Sequence, residues 1–208
     1  MISEIWSELS QYSIPEIIAV LALISYVILA ARENRACWPL AFLGSGIYII
    51  IFYQYQLYMY TALNIFYVIM AVYGWFTWKK DNSDTEKSKK LIINKWSLKN
   101  HLYGLLVIGL LTILSGLYLD KIINTEYPYL ESFTTWGSLL ATWMVVKKIL
   151  ENWLYWISLD ILSLYLYSNK ELYFTAALFS IYIIISIYGY INWLNIYKKR
   201  SDASKAIA

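Results

Sequence analysis

A carboxylate lies in the middle of an apolar stretch of this sequence, and two tryptophans precede it. The stretch is ENWLYWISLDILSLYLY, residues 151–167, and the acid is Asp160. Trp153 and Trp156 share a helical face with Asp160. Each aromatic ring attracts a cation by about 0.5–2 kcal/mol, and a carboxylate adds Coulomb attraction where the dielectric is low. The spacing therefore indicates a site for a flat cation, or else a structural carboxylate bonded to hydroxyls of neighbouring helices.

The helices that would position Asp160 follow from hydropathy. The 208-residue chain is 60% hydrophobic and only 15% charged, which is too apolar for an ordinary soluble domain. Because about 20 apolar residues cross a bilayer, the sequence predicts an all-α integral membrane protein with seven transmembrane helices. The predicted spans are 15–31, 38–55, 58–78, 102–119, 133–149, 152–168 and 172–195.

Basic residues fall almost entirely on one side of these spans. Of the 17 Lys and Arg residues, only Lys121 and Lys170 lie on the side of the N-terminus. By the positive-inside rule, the N-terminus is outside and the C-terminus is cytoplasmic. The expected location is a multi-pass position in the bacterial inner membrane.

An internal repeat organises the chain. Shifting the sequence by 115 residues places 38–78 on 153–193 without a gap, and ten of the 41 positions are identical. Each unit has three spans, and the fourth span restores the orientation, so two parallel three-helix repeats are joined by a linking helix, with a site expected at their interface. The predicted segments are an extracytoplasmic N-terminus (1–14), a first repeat (15–80), a cytoplasmic linker with the linking helix (81–129), a second repeat (130–195) and a cytoplasmic tail (196–208).

Polar stripes on other spans could face Asp160. A charge near the membrane centre is costly unless it faces a polar interior, and Asp160 is about 12 Å from either end of its span at 1.5 Å per residue. The fifth span carries a hydroxyl stripe, and the third and seventh carry polar or tyrosine side chains. The predicted lining residues are Asn64, Tyr67, Thr135, Ser138, Thr142 and Tyr182, together with Trp153, Trp156 and Asp160.

Several chemistries have no motif here. The sequence lacks GxxxxGK[ST], HExxH and any paired cysteine, so it predicts no ATP-driven engine, metal, cofactor, nucleic-acid partner or hydrolytic triad. We expect a protein that is not an enzyme. A proton-coupled carrier or an intramembrane enzyme using Asp160 stays formally open, although no second acid lies deep within the spans for catalysis.

The sequence resembles the PnuC-type vitamin transporters. The resemblance covers nearly the whole chain, and its most specific part is the ENWxxW-xxxD stretch at 151–160, preceded by TTWGSLLATWMVVKK at 134–148. It implies facilitated uptake of nicotinamide riboside, an NAD precursor, without ATP or ion coupling. It also implies a SWEET-like architecture, a homotrimer and a functional link to a cytoplasmic vitamin kinase.

The resemblance adds residues to the predicted site and raises an alternative substrate. Asn152, Trp153, Trp156 and Asp160 match the sixth-helix pattern of that family, and the fifth-helix stripe matches as well. Many riboside carriers have Gln at or near the position of Thr142, however, and ATW at 141–143 resembles thiamine carriers. Both vitamins are cationic aromatics, so thiamine is the alternative. Phosphorylated forms should bind poorly, since no span carries Lys or Arg at depth.

Overall fold

A computed structural model describes residues 13–56, 58–79, 91–123 and 126–207. Within these ranges the chain forms seven α-helices, which confirms the predicted all-α class. A π-helical turn, Leu119–Ile123, extends the fourth helix. The helices are α1 (Ile14–Ala31), α2 (Cys37–Gln54), α3 (Tyr58–Thr77), α4 (Leu98–Tyr118), α5 (Pro128–Val146), α6 (Asn152–Asn169) and α7 (Tyr173–Ile207).

Hydropathy separates the helices into two groups. By length and composition, five of them are apolar enough to cross a membrane, namely α1, α2, α3, α4 and α7. The other two, α5 and α6, carry Thr, Ser, Asn and Asp along their length. These two are the helices to which the sequence analysis assigned most of the site, so the polar residues that lower their hydropathy are the candidates for function.

Local signals set the helix ends. Helix α1 begins with a capping box between Ser13 and Glu16, which satisfies otherwise free backbone donors. Helix α4 begins before the predicted residue 102 because Ser97 caps it. Helix α5 begins five residues before the predicted 133, at Pro128, a residue favoured in the first turn. Helix α7 continues past the predicted 195, since neither Gly nor Pro interrupts its polar end. Parts of the predicted N-terminus and linker, 1–12, 80–90 and 124–125, lie outside the described residues.

Left-handed residues end four helices. Glu33, Gln56, Lys148 and Glu171 have φ of 56°, 58°, 52° and 59°, and they follow α1, α2, α5 and α6. Glu33 and Lys148 are separated by 115 residues, and so are Gln56 and Glu171. These matched turns support the predicted repeat, whose parallel orientation stays a prediction.

Two three-helix groups pack side by side. The first unit is α1–α3 and the second unit is α5–α7; α4 packs on α5, and the units meet where α1 contacts α7 and α3 contacts α5. Each unit has one tight contact between an indole ring and a glycine. A Cβ at Gly74 would overlap the ring of Trp38, and a Cβ at Gly189 would lie 2.7 Å from the ring of Trp153.

One end of the bundle is basic and tightly packed. We call it the basic end; it carries Arg32, Arg35, Lys147, Lys148 and Arg200. The buried apolar cluster at this end draws on both units, and its largest members are Trp38, Trp78, Trp153 and Trp193. The segment before α4 docks here as well, because Asn94 exchanges backbone hydrogen bonds with the turn between α5 and α6, from Asn94 N to Lys148 O at 3.0 Å and from Leu150 N to Asn94 O at 2.8 Å.

Candidate functional site

Asp160 is buried between α6 and α7. Its side chain is 4% exposed, and the Ser186 hydroxyl donates a hydrogen bond of 3.4 Å to Oδ2. Tyr182, one turn before Ser186 on α7, lies near both Asp160 and Tyr48 of α2. Ser163, one turn beyond Asp160, is also buried. The acid therefore faces a polar interior formed by helices of both units, as a buried charge requires.

A second polar contact joins α3 to α5. Tyr67 and Ser138 are hydrogen-bonded to each other, which links the two units within the bundle. Two other hydroxyls of the α5 stripe bond inside their own helix: Thr135 donates to Glu131 O at 2.8 Å and Thr142 donates to Ser138 O at 2.7 Å. Their oxygens can still accept a hydrogen bond, so they offer acceptors to a ligand rather than donors.

Asn64 shows the same behaviour on α3. It is 7% exposed, and its amide nitrogen donates to Tyr60 O of its own helix at 2.9 Å. An amide carries two N–H donors and a carbonyl acceptor. The side chain therefore keeps hydrogen-bonding capacity on α3, the helix of the first unit that contacts α5.

The predicted residues at the start of α6 lie toward the basic end. Trp153 is buried, and its ring meets the ring of Trp193 edge-on with centroids 5.5 Å apart. The amide nitrogen of Asn152 donates to Ile149 O at 2.6 Å. Within the described part of the chain, Asn152 Oδ1 and Trp153 Nε1 have no hydrogen-bond partner. Trp156 is half-buried against the same apolar cluster and is one turn from Asp160.

The structure brings some of the predicted residues near one another and places others toward the basic end. Asp160 and Tyr182 lie together, and Tyr67 and Ser138 lie together, whereas Asn152 and Trp153 belong to the basic end. Tyr48 was missed by the sequence analysis, although the repeat offset places it opposite the polar Ser163. The ion pair between Glu33 and Lys148 was also missed, although the same offset relates its two members.

The site offers a charge and several hydrogen-bonding groups. Among the described residues, no group of three His, Cys, Asp or Glu could hold a metal ion. Cys37 is buried and forms no disulfide. A carboxylate with nearby tyrosines and hydroxyls suits a cation that also carries polar groups.

The described part of the chain has seven helices, most of them long apolar spans, around a buried polar interior, which defines a multi-pass membrane protein. Comparison with known proteins places it among transporters. The chain belongs to the nicotinamide mononucleotide transporter family, whose model matches residues 13–195. This membership confirms the resemblance stated from the sequence.

Individual relatives agree with the family. The chain is 25% identical over 201 residues to "Nicotinamide riboside transporter PnuC" of Escherichia coli (strain K12), covering 84% of this chain and 82% of the relative. It is also 25% identical over 191 residues to the protein of the same name from Neisseria mucosa, covering 84% and 70%. A solved structure described as the vitamin B3 transporter PnuC has the same fold, with a TM-score of 0.69, 20% identity and coverage of 88% of this chain and 81% of that chain.

Proposed function

We propose that this protein carries nicotinamide riboside across the bacterial inner membrane by facilitated diffusion. The observation that carries the proposal is the buried Asp160, which accepts only one long hydrogen bond, 3.4 Å from Ser186, among the contacts described for it. A carboxylate has about four acceptor sites, so Asp160 keeps capacity for a pyridinium cation. The relatives named nicotinamide riboside transporters support this substrate.

The riboside is favoured over its phosphorylated form. The family description names the mononucleotide, whereas the relatives are named for the riboside. A phosphate in a membrane interior needs a cationic or multiple N–H partner, and the Lys and Arg residues of the described helices lie toward their ends. The ligand is therefore a cation without phosphate.

Thiamine is the alternative that the sequence raised through Thr142, and the relatives do not favour it.

The proposed lining of the site consists of two polar pairs, Asp160 with Tyr182 and Tyr67 with Ser138, together with Asn64, Thr135 and Thr142. Trp156 lies between this centre and the basic end, to which Asn152 and Trp153 belong, and these three residues line the path of the ligand.

The rest of the proposal concerns the setting of the protein. The basic end faces the cytoplasm, three copies assemble in the membrane, and a cytoplasmic kinase draws net uptake by phosphorylating the vitamin. The two three-helix units act as parallel repeats around the site.

Counterflow in proteoliposomes tests the function. Vesicles loaded with unlabelled nicotinamide riboside should take up labelled riboside with sodium and pH equal on both sides and with no ATP. Loading with thiamine or with the mononucleotide should give little uptake. Transport of thiamine alone would contradict the substrate, and an absolute requirement for a proton gradient would contradict facilitated diffusion.

A further inference from the structure

We propose that Glu33, Lys148 and Arg200 form a latch that holds the basic end closed, and that the latch must open for the ligand to pass between the site and that side of the membrane. The Lys148 ammonium lies 2.6 Å from Glu33 Oε1. Arg200 of α7 reaches the other oxygen of the same carboxylate at 3.2 Å. The proposal rests on transport as the function, but its test does not need a substrate.

The ion pair joins the two units. Glu33 follows α1 of the first unit, and Lys148 follows α5 of the second. The two residues occupy equivalent positions, 115 residues apart, and both have the left-handed conformation that ends their helix. The pair therefore lies where equivalent parts of the two units approach each other, which is where a movement of one unit against the other separates them.

Neutral hydrogen bonds across the same boundary surround the ion pair. The Trp78 indole of the first unit donates to Val146 O at 3.0 Å, and the Trp193 indole of the second unit donates to Ala30 O at 3.0 Å. The two bonds are equivalent in the two units. Trp78 follows α3 and donates to the end of α5, and Trp193 is on α7 and donates to the end of α1. The Lys148 ammonium also lies 4.6 Å from the centre of the Trp78 ring.

These contacts lie between the site and the aqueous phase. Asp160 is seven residues after Trp153, about 10 Å along α6 at 1.5 Å per residue, and Trp153 belongs to the cluster at the basic end. A ligand leaving Asp160 toward that side must pass the cluster and the ion pair. The closed arrangement is therefore one of the two states that alternating access requires.

Charges suit a contact that must both hold and release. The side chains of Lys148 and Glu33 are 8% and 12% exposed, so their attraction is little screened while the end is closed. A buried ion pair adds little net stability, because desolvation offsets much of the attraction. When the end opens, water can hydrate both charges at the membrane boundary. The ion pair therefore favours the closed state of the basic end by only a small free energy, so the end can still open.

The test measures access to the site through the basic end. Ser163 lies one turn beyond Asp160 on the buried face of α6, and Ser163→Cys in a Cys37→Ala background places a single thiol there. The purified full chain is reconstituted in oriented proteoliposomes, and a membrane-impermeant thiol reagent is added from the basic side. The rate of labelling reports how often that end is open.

We expect Glu33→Gln and Lys148→Gln each to raise the labelling rate about fivefold or more. Glu33→Gln leaves two cations of the closed state without their carboxylate, and Lys148→Gln removes the nearer of the two cations that Glu33 contacts. Arg200→Gln should raise it less, because the Arg200 side chain is 36% exposed. The exchange Glu33→Lys with Lys148→Glu should return the rate toward the original value. Glu131→Gln is the matched control, as it breaks the Lys170 pair at 2.6 Å, which lies within the second unit at the opposite end.

Two results would overturn the latch. One is an unchanged labelling rate in Glu33→Gln and Lys148→Gln. The other is a charge exchange that fails to reverse the effect. Thermal melting of each variant identifies any that fail to fold, and Arg200→Gln, the mildest change, then carries the test alone: no increase in labelling would reject the latch. If the protein shows no riboside counterflow, but the latch variants still raise the labelling rate, the substrate is rejected and the latch is retained.

Discussion

Asp160 is the buried acid at the centre of the predicted site. It is buried and accepts a hydrogen bond from Ser186 at 3.4 Å, a distance at which a hydrogen bond is weak. A carboxylate in a low-dielectric setting gains free energy from any cation that comes within several ångströms. The same residue could instead hold α6 against α7. A neutral substitution of the same shape separates these roles.

Asp160→Asn should weaken binding of nicotinamide riboside at least tenfold, which corresponds to about 1.4 kcal/mol. The reason is that the amide keeps the hydrogen-bonding shape but loses the charge. Calorimetric titration of the purified protein measures the affinity, and thermal melting measures the fold. Ser158→Ala on the exposed side of the same helix is the control, since its hydroxyl donates to Leu154 O of that helix at 2.9 Å. A variant that melts earlier but binds with unchanged affinity would assign Asp160 to structure.

Only part of the site could be predicted from residue types. The sequence predicts that the acid and Tyr182 of α7 face each other, because a charge in an apolar helix must face polar groups, and the two side chains do lie near each other. Tyr48 was not found, because its approach to Tyr182 depends on how α2 is rotated against the second unit. Thr135 and Thr142 share the face that periodicity predicts, but spacing alone does not show that each hydroxyl donates to its own backbone.

The helices followed closely from hydropathy, and their ends did not. Apolar runs of 18 to 21 residues fix α1 to α4, whereas α5 starts early at a proline and α7 runs on through polar residues. The spacing of residues in the sequence does not predict which side chains of neighbouring helices are in contact. Trp38 and Trp153 each cover a glycine of the next helix along the chain, a contact that spacing alone does not show.

Those glycine contacts predict a difference in stability between two similar substitutions. A Cβ at Gly189 would lie 2.7 Å from the Trp153 ring, whereas a Cβ at Gly109 of α4 would meet no atom of the described residues within 4 Å. Gly189→Ala should therefore destabilise the protein by about 1–3 kcal/mol, the usual effect of overpacking. Gly109→Ala should have no such effect, since alanine favours a helix. Thermal melting in one detergent compares them; equal melting points would show that α6 and α7 separate easily.

At the scale of the whole molecule, the distribution of basic residues predicts its orientation. Lys79 ends the first unit on the basic side, and Lys121 follows α4 on the other side; both are exposed. With the basic end in the cytoplasm, an impermeant thiol reagent added to intact cells should label Lys121→Cys and not Lys79→Cys. Cys37 is buried, so its background labelling should be low. Labelling of Lys79→Cys and not of Lys121→Cys would show that the protein has the opposite orientation.

The four left-handed turns have a consequence for anyone who wishes to purify the protein in quantity. The left-handed conformation costs a residue with a side chain about 1 kcal/mol or more of free energy, because its Cβ approaches the following carbonyl oxygen, and glycine has no such cost. Gln56 and Glu171 are exposed, with φ of 58° and 59°, so Gln56→Gly and Glu171→Gly should lengthen the life of the protein in detergent. The equivalent change at Glu33 or Lys148 would relieve the same strain but remove a charge of the ion pair. Glycine at Gln56 or Glu171 therefore stabilises the protein and leaves the ion pair intact. Glycine at Glu33 or Lys148 removes the ion pair that holds the basic end closed.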